Sequence, residues 1–581
     1  MTKQGKELWF FIILIIVLQV LISFQGFDFC DEGFSLTFYQ QFFNAPESVE
    51  YVFVYWLSGL VGGLWYEINP NGGILWFRIL AILVNTSSFI LGYKILKNFI
   101  NTRLALVGLT MVLFANDFGF LVFYHNHLTT LLVLLSIYLL YRGILKKHKR
   151  IIFAAGFVVS VNYVTRIPNL TMTILVLAIP FAFILKMLSK SLSLKMVLQF
   201  VIGLLCGIGS IVLLLFAFGQ LDIMESAIQS LFSLGRTSDS AHGILFLIKI
   251  TLGNYKKVVV IIALLLLLFG LISYLKSLKI SKLLSLLIDG FSILCLCILI
   301  YFGKIHFVYA FGIIGVLSVI INKNEEAIFR IIALLGLLML VCLPLGSGGG
   351  MVSSGTMCIW LALPVGLHVM FNYGLTSASF VVLEKPISIN LYSRALVKLG
   401  RFIVVIFLAI KAYNISQRAY FDHGARWQKK AIVNHRLATN IYTTEQRSSI
   451  TNDVLEQLKL YVKPDDYLFA YDKIPMLHFL TETKPYLYNP WPWIFNGELF
   501  EQKLNKAETT IEKLPIIVQQ KFETIYQLSE PFNDYLDEER EDSERFNASR
   551  TKAFNTFLEK HNYQIVWNNA YFNIYKSEKS E

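Results

Sequence analysis

Long uninterrupted blocks of apolar residues are the feature that most limits how this chain can fold. The block IIALLLLLFGLISYL (261–275) is one of many, and a hydrocarbon core of about 30 Å requires ~20 such residues. Of the 581 residues, 55% are hydrophobic and 15% are charged. Soluble domains average roughly 45–50% apolar and about 25% charged residues. These values argue against a soluble enzyme, a nucleic-acid-binding protein and a disordered chain, and they predict a polytopic α-helical membrane protein in a lipid bilayer.

Hydropathy predicts about thirteen membrane spans. Their centres lie near residues 16, 85, 110, 135, 157, 177, 208, 266, 293, 313, 337, 365 and 408. The first apolar run is longer than the h-region of a signal peptide and no small-residue cleavage site follows it, so we expect it to remain as a span. The sequence therefore divides into a transmembrane domain, 1–414, and a C-terminal domain, 415–581, in which strand-like segments alternate with helical ones and predict an α/β fold.

The distribution of charge predicts the orientation. Residues 1–414 carry 30 Lys and Arg against 15 Asp and Glu, whereas residues 415–581 carry 21 against 24. In the thirteen-span map, 22 of those 30 basic residues fall at the N-terminus and on one set of loops, with RGILKKHKR (142–150) the densest. By the positive-inside rule these loops are cytoplasmic. We therefore expect a multi-pass protein of the cytoplasmic (inner) membrane, with a cytoplasmic N-terminus and an extracytoplasmic C-terminal domain.

The first outer loop, about 25–73, contains a pair of acids where the first span ends. Asp31 and Glu32 precede FSLTFYQQFF, which together with YVFVYWLSGLVGGLW is predicted to form two helices lying at the membrane surface. Partial desolvation raises the basicity of a carboxylate, and a general base acting on an alcohol requires such a group. The alternative is an N-cap, in which an acid stabilises the first turn of the helix by about 1 kcal/mol.

Three short motifs carry a resemblance to a known family. The chain has CDEGF (30–34) after the first span, VYWLSGL (54–60) in the surface helices and WFRILA (76–81) where the second span begins. In this arrangement the chain resembles the GT-C glycosyltransferases, and most closely the aminoarabinose transferase and protein O-mannosyltransferase group. The resemblance implies an inverting glycosyltransferase that moves a sugar from a polyprenyl-phosphate donor to a glycan, lipid or protein acceptor. It also implies that Asp31 is the catalytic carboxylate and Glu32 its neighbour.

A second outer patch, FANDFGFLVFYHNHL (114–128), adds Asp117 to the candidate catalytic residues, since GT-C enzymes often carry a second acid in this loop. The Asp and His residues here could also bind a metal, or the histidines could cap the ends of spans. The sequence indicates no cofactor with certainty and leaves a divalent metal open.

Cations on the predicted outer side are candidates for binding the donor phosphate. Arginine offers a phosphate two parallel hydrogen bonds and lysine offers a point charge. The loop 219–257 contributes Arg236, His242 and Lys249. Other outer segments contribute Arg78, Arg166, Lys304 and His306. The alternative for each is snorkelling to lipid headgroups.

Two other classes of function remain open from the sequence. A transporter or lipid flippase would place ionisable residues near the midplane of the membrane, where Asp289 is the only acid in the predicted map. A non-catalytic scaffold that displays the C-terminal domain would bind no carrier lipid. The clustering of charged residues on the predicted outer side favours the glycosyltransferase.

Overall fold

The computed structural model describes residues 3–115, 119–236, 243–277, 281–372, 375–382, 385–391, 394–522 and 548–578. Its first part is helical. The α-helices are α1 (Lys3–Ser23), α2 (Asp31–Gln41), α3 (Trp56–Ile68), α4 (Gly73–Leu96), α5 (Thr102–Ala115), α6 (His125–Leu145), α7 (Lys149–Val161), α8 (Ala178–Ile184), α9 (Lys190–Ala217), α10 (Leu221–Arg236), α11 (Ile244–Ser277), α12 (Lys282–Ile321), α13 (Ala327–Cys342), α14 (Gly350–Ser354), α15 (Ala362–Asn372) and α16 (Arg394–Gln417).

Within the described residues, eight helical segments are long and apolar enough to cross a membrane. They become nine if α15 and the shorter helical segment before it, which are bent by 69°, count as one span. The helices α5 and α13 are apolar but shorter. The multispan helical architecture is therefore confirmed, whereas the number thirteen stays a prediction.

A kink in α12 accounts for part of the difference between the thirteen predicted spans and the eight long apolar helices. This element has 40 residues and includes two of the predicted span centres. Forty helical residues extend for about 60 Å, roughly twice the hydrocarbon core. At Lys304 the backbone leaves the helical region, with φ at 46° and ψ at −123°, so two helices meet there. The kink lies where the sequence predicts the outer ends of the ninth and tenth spans.

Glycines allow the helices α7 and α9 to pack closely. A Cβ on Gly156 would lie 2.1 Å from the carbonyl oxygen of Phe200, and one on Gly203 would lie 2.1 Å from that of Phe153. Small residues at such positions let helix backbones approach each other in an apolar environment, where dispersion contacts hold the pair together. This pair forms part of the large apolar core of the membrane region.

The first loop forms helices, as predicted, but not in the predicted surroundings. It contains α2, a 3₁₀ segment (Pro46–Tyr55) and α3. The expectation was that α2 would turn an apolar face to lipid. Instead every residue from Glu32 to Gln41 is buried. The reason is that helix α18 (Met476–Thr481) of the C-terminal region covers α2, so closely that a Cβ on Gly33 would lie 2.1 Å from the backbone nitrogen of Met476.

The C-terminal region is an α/β unit. Its remaining elements are α17 (Glu445–Tyr461), α19 (Gly497–Thr510), α20 (Ala548–Lys560) and the strands β5 (Tyr467–Tyr471), β6 (Lys484–Pro485), β7 (Ile516–Gln520), β8 (Tyr563–Asn568) and β9 (Phe572–Ser577). These strands form one sheet in the order β6-β5-β7-β9-β8. The pairs that β5 makes with β6 and β7 are parallel, and the others are antiparallel. The predicted alternation of strands and helices is thus present, and the antiparallel pair of β8 and β9 ends it.

Two smaller antiparallel pairs lie outside this sheet. They are β1 (Leu375–Val382) with β2 (Lys385–Leu391), and β3 (Ala431–Ile432) with β4 (Tyr442–Thr443). The first pair occupies the predicted cytoplasmic loop between α15 and α16.

The C-terminal unit and the first loop share one hydrophobic core. Phe29 and Phe53 of the loop belong to the same buried cluster as Leu468 of β5 and Phe572 of β9. A buried ion pair joins Glu50 to Lys503, and Lys506 lies 2.6 Å from the same carboxylate. The first loop and the C-terminal unit therefore lie at the same end of the helical region.

Candidate functional site

The start of α2 is held by Asp28 and not by the predicted pair. Asp28 is buried and accepts hydrogen bonds from the backbone nitrogens of Cys30 (2.7 Å) and Glu32 (2.9 Å). Free backbone N–H groups in the first turn are what an N-cap satisfies. The capping alternative considered for Asp31 is therefore fulfilled by Asp28, three residues earlier, and the side chain of Asp31 is left for another role.

Asp31 is partly exposed and has one well-defined partner. The hydroxyl of Tyr420 donates a hydrogen bond to its Oδ2 at 2.5 Å. Burial raises the pKa of Asp31 to about 6, with a further contribution from the charge of Glu32, while the bond from Tyr420 opposes the rise. A carboxylate with a pKa of this size is still largely ionised at neutral pH and is more basic than an exposed aspartate.

Glu32 and Arg78, both predicted to be site residues, are bonded to each other. Nη2 of Arg78 lies 2.9 Å from Oε1 and 2.8 Å from Oε2 of Glu32. The same guanidinium donates to the backbone carbonyls of Ser23 (2.6 Å) and Gly26 (2.8 Å). Because both side chains are buried and Arg78 makes these bonds, it fixes the start of the first loop. Its role in binding the donor phosphate stays a prediction, and its guanidinium is already paired with Glu32. Glu32 is likewise a partner of Arg78 and not an accessible second carboxylate.

Arg166 is a buried cation without a carboxylate. It is 5% exposed, and the closest partner of its guanidinium is Sδ of Met357 at 3.9 Å. Its Nη2 is buried and has no hydrogen-bond partner, and it makes no salt bridge within the described residues. The backbone at Arg166 is extended because it joins two helical segments, Asn162–Val164 and Ile167–Leu177. A buried guanidinium normally has an anionic partner, so this one is suited to an anionic ligand.

Two tyrosines connect Asp31 with Arg166. Burial raises the pKa of the Tyr124 hydroxyl to about 12, the charge of Asp31 adds to the rise, and Arg166 opposes it. The pKa of Tyr55 is likewise raised by the charge of Asp31 and lowered by that of Arg166. The ring of Tyr55 stacks on that of His125, with 4.1 Å between the ring centroids. The ring of Tyr124 also contacts that of Phe120, which in turn contacts the ring of Tyr420, the hydrogen-bond partner of Asp31. We call the residues that share these contacts and charge interactions, Asp31, Tyr55, Tyr124, Arg166 and Tyr420, the Asp31–Arg166 cluster.

A second group of charges ties the segment after α16 to the first loop. Oδ1 of the buried Asp422 lies 3.0 Å from Nζ of Lys429 and 3.2 Å from Nε of Arg447. Its Oδ2 accepts hydrogen bonds from the backbone nitrogen of Phe27 and from Thr443, both at 2.8 Å. These bonds hold the backbone two residues from Tyr420 against the loop that carries Asp31. No sequence signal identifies either Tyr420 or Asp422, because each lies almost 400 residues from the loop that it contacts.

Of the other predicted cations, Lys249, Lys304 and His306 are not part of the Asp31–Arg166 cluster. Lys249 and Lys304 are exposed, and Arg236 is the last residue of α10. His306 is buried and shares a hydrogen bond of 2.6 Å with Asn254 of α11. It lies one helical turn from Tyr309, whose hydroxyl interacts electrostatically with Arg166. Asp117 and His242 lie outside the described residues.

No group of three or more His, Cys, Asp or Glu side chains that could hold a metal occurs in the part of the chain that the structure describes. Within the second patch, His125 and His127 begin α6, and both rings lie against that of Tyr124. Their surroundings are therefore aromatic.

Comparison of the sequence with protein-family models and with curated proteins finds no match. The resemblance to the GT-C glycosyltransferases rests on the three short motifs and on the architecture.

Proposed function

We propose that this protein is an inverting glycosyltransferase that moves a sugar from a polyprenyl-phosphate donor to an acceptor on the outer face of the cytoplasmic membrane. The observation that carries the proposal is the Asp31–Arg166 cluster, which combines a moderately basic carboxylate with a buried guanidinium that has no anionic partner among the described residues. Transfer from a sugar phosphate requires these two groups: one to take a proton from the acceptor and one to stabilise the phosphate that leaves.

The proposed reaction is a single displacement. The acceptor oxygen attacks the anomeric carbon, the bond between that carbon and the phosphate oxygen breaks, and the polyprenyl phosphate leaves with the electron pair. Asp31 takes the acceptor proton. Because the leaving group is already a phosphate, the reaction needs no acid catalyst and no nucleotide.

Arg166 is the residue best suited to the leaving phosphate. A guanidinium can give two parallel hydrogen bonds to phosphate oxygens, and these are stronger where water is excluded. Its Nη2 has no hydrogen-bond partner at present, so a phosphate would satisfy it. Because Arg166 is 5% exposed, water has little access to it.

The hydrophobic surroundings fit a lipid-linked donor. The helices that could cross a membrane adjoin the cluster, since α6 begins next to Tyr124 and the segment Ile167–Ile184 begins next to Arg166. A polyprenyl chain can therefore remain in the bilayer while its phosphate reaches Arg166. The positive-inside rule would place this end of the protein outside the cytoplasm.

The test is transfer by the purified full-length chain, reconstituted in lipid and supplied with a panel of polyprenyl-phosphate sugars. Asp31→Asn should lower transfer to a hydroxyl by about 10²–10⁴-fold, the usual contribution of a positioned general base. The matched control is Asp222→Asn, which changes an exposed acid of α10 at the same end of the protein and should leave transfer unchanged.

Two results would contradict the proposal. One is near-full turnover by folded Asp31→Asn protein with an alcohol acceptor. The other is movement of the carrier lipid across the bilayer with no glycosylated product for any donor, which would favour the lipid flippase.

A further inference from the structure

One face of α6 is polar near the start of the helix. Asn126, Thr129 and Thr130 stand at positions i, i+3 and i+4, which lie on the same side of a helix. Oγ1 of Thr129 accepts a hydrogen bond from Nδ2 of Asn169 at 2.9 Å, and Oγ1 of Thr130 donates one to the backbone carbonyl of Met357 at 3.4 Å. This face of α6 is therefore directed at the segments that contain Asn169 and Met357.

Both of these partners adjoin Arg166. The backbone nitrogen of Asn169 donates to the carbonyl of Arg166 at 2.9 Å, and Sδ of Met357 lies 3.9 Å from the guanidinium. On its other side, Nδ2 of Asn126 donates to the hydroxyl of Tyr124 at 3.2 Å. Asn126 thus links the surroundings of the guanidinium with the ring contacts that lead from Tyr124 to the carboxylate of the cluster.

The side chains at this point have unused hydrogen-bonding atoms. Oδ1 of Asn126 and Nδ1 of His127 are buried, and neither has a hydrogen-bond partner among the residues that the structure describes. Nη2 of Arg166 is in the same condition. Buried polar atoms in folded proteins are nearly always bonded, because an unmade bond costs free energy. Asn126 and His127 are each partly exposed as residues, so a ligand has access to this point.

The charges around Asn126 select the kind of ligand. Of the three acids at the start of the first loop, Asp28 is bonded to the first turn of α2 and Glu32 to an arginine of α4. The third, Asp31, is the base of the proposed reaction. An amino group on a sugar would therefore lack a carboxylate of its own within the described residues, and a carboxyl group would compete with the phosphate for Arg166. Because an unpaired charge is costly to bury, these surroundings suit a neutral sugar.

We propose that Asn126 binds a hydroxyl group of the donor sugar, and that this sugar is neutral, with neither an amino nor a carboxyl group. The proposal rests on the proposed function, in which the phosphate lies at Arg166 and the acceptor at Asp31. The anomeric carbon is bonded to the first and attacked by the second, so the sugar ring lies between them. There Oδ1 of Asn126 accepts a hydrogen bond from the sugar, which makes it a residue that determines donor specificity.

Binding of donor analogues, measured without an acceptor, tests the proposal. The full-length chain in lipid nanodiscs is titrated with a polyprenyl phosphate alone and with the same compound carrying glucose, mannose or galactose. Forms that carry glucosamine or glucuronic acid complete the series. We expect at least one neutral sugar to bind more tightly than the bare polyprenyl phosphate. The amino and carboxyl forms should bind more weakly than that neutral sugar.

The role of Asn126 is isolated by removing the hydroxyl groups of that sugar one at a time. In the unchanged protein, the deoxy form that lacks the hydroxyl bound by Asn126 should bind roughly three- to tenfold more weakly, as for one lost hydrogen bond. In Asn126→Leu protein, this deoxy form and the complete sugar should bind equally, and the affinity for the bare polyprenyl phosphate should be unchanged. A merely structural role would weaken the binding of all three compounds together. Asn505→Leu, which changes an exposed residue of α19, is the matched control and should respond as the unchanged protein does.

Three results would overturn the inference. They are equal affinity for the bare and the sugar-bearing polyprenyl phosphates, tightest binding of the amino or carboxyl form, and a deoxy effect that persists in Asn126→Leu protein. The first two comparisons need only the unchanged protein, so they decide the matter even where Asn126→Leu protein does not fold. In all three cases the carrier phosphate still binds and the proposed function stands, whereas no binding of any compound would contradict the proposed function together with the inference.

Discussion

The hydroxyl of Tyr420 donates a hydrogen bond of 2.5 Å to the carboxylate of Asp31 across 389 residues of sequence. Asp31 opens the first helix after the first span, and Tyr420 follows the last spanning helix. The buried bonds of Asp422 to Phe27, Lys429 and Arg447 hold the two segments together. The segment that follows the membrane region is thus part of the candidate site.

Replacing Tyr420 by Phe should change the pH dependence of activity. A hydrogen bond to the ionised form lowers the pKa of a carboxylate, and the bond from Tyr420 does so for Asp31. Its loss should raise the pKa of Asp31 above about 6, so that the acidic limb of the profile of kcat/KM against pH moves to higher pH. Activity should fall most below neutral pH and recover on the alkaline side.

Tyr413→Phe is the control for this measurement, because Tyr413 is an exposed residue of α16 at the same end of the helix. A profile of Tyr420→Phe protein that is lowered equally at every pH would show that Tyr420 supports only the fold. That result would contradict the inference that Tyr420 lowers the pKa of Asp31.

The sequence predicts most of what depends on neighbouring residues. Apolar blocks predict the long helices, and short runs rich in β-branched and aromatic residues predict the strands of the C-terminal sheet. The position of Asp31 at the start of α2 also follows from local sequence. The kink at Lys304 does not, because a non-glycine residue with positive φ has no sequence signature.

Pairing between distant residues could not be predicted. Glu32 and Arg78 were each identified as polar residues at span ends, but hydropathy does not show that one neutralises the other. Tyr420 and Asp422 were missed for the same reason. From the sequence, Arg166 is only one of several candidate cations. Its importance emerges from a property that only the structure shows, the lack of an anionic partner in the part of the chain that the structure describes.

The ion pair of Glu32 with Arg78 should matter for stability. Glu32→Gln leaves a buried guanidinium without its carboxylate, which typically costs about 3–5 kcal/mol. Thermal unfolding in detergent should show a marked loss relative to Glu225→Gln, which alters an exposed acid of α10. Unchanged stability together with a loss of transfer larger than that of Asp31→Asn would instead assign the catalytic role to Glu32.

The orientation in the membrane follows from the basic loops and can be tested with reporters. A reporter after residue 145, next to RGILKKHKR, should report the cytoplasm, and one after residue 581 should report the outer side. A third reporter in the first loop should agree with the one at residue 581, because Glu50 in that loop pairs with Lys503 of the C-terminal unit. Reporters at 145 and 581 on the same side would refute the topology.

Arg166 offers a test in which stability and binding should change in opposite directions. Arg166→Met removes a buried charge that has no carboxylate partner and keeps a side chain of similar length. An unpaired buried charge destabilises the folded state, so the variant should be at least as stable as the unchanged protein when no donor is present. Arg78→Met, the matched control, should lose stability because it leaves Glu32 unpaired.

Donor binding by Arg166→Met protein should weaken by about 1.5–3 kcal/mol, the range for hydrogen bonds to a charged group. The measurement is the stabilisation that a polyprenyl-phosphate sugar gives in thermal unfolding, since a ligand that binds only the folded state raises the midpoint by an amount that grows with the logarithm of its affinity. If Arg166 binds the donor phosphate, Arg166→Met protein should lose this stabilisation. Arg166→Lys protein should keep part of it, because lysine supplies the charge but not the two parallel hydrogen bonds of a guanidinium. If Arg166 only supports the fold, the reverse is expected. Arg166→Met protein would then unfold at a lower temperature than the unchanged protein, and the donor would raise its unfolding midpoint by as much as it raises that of the unchanged protein.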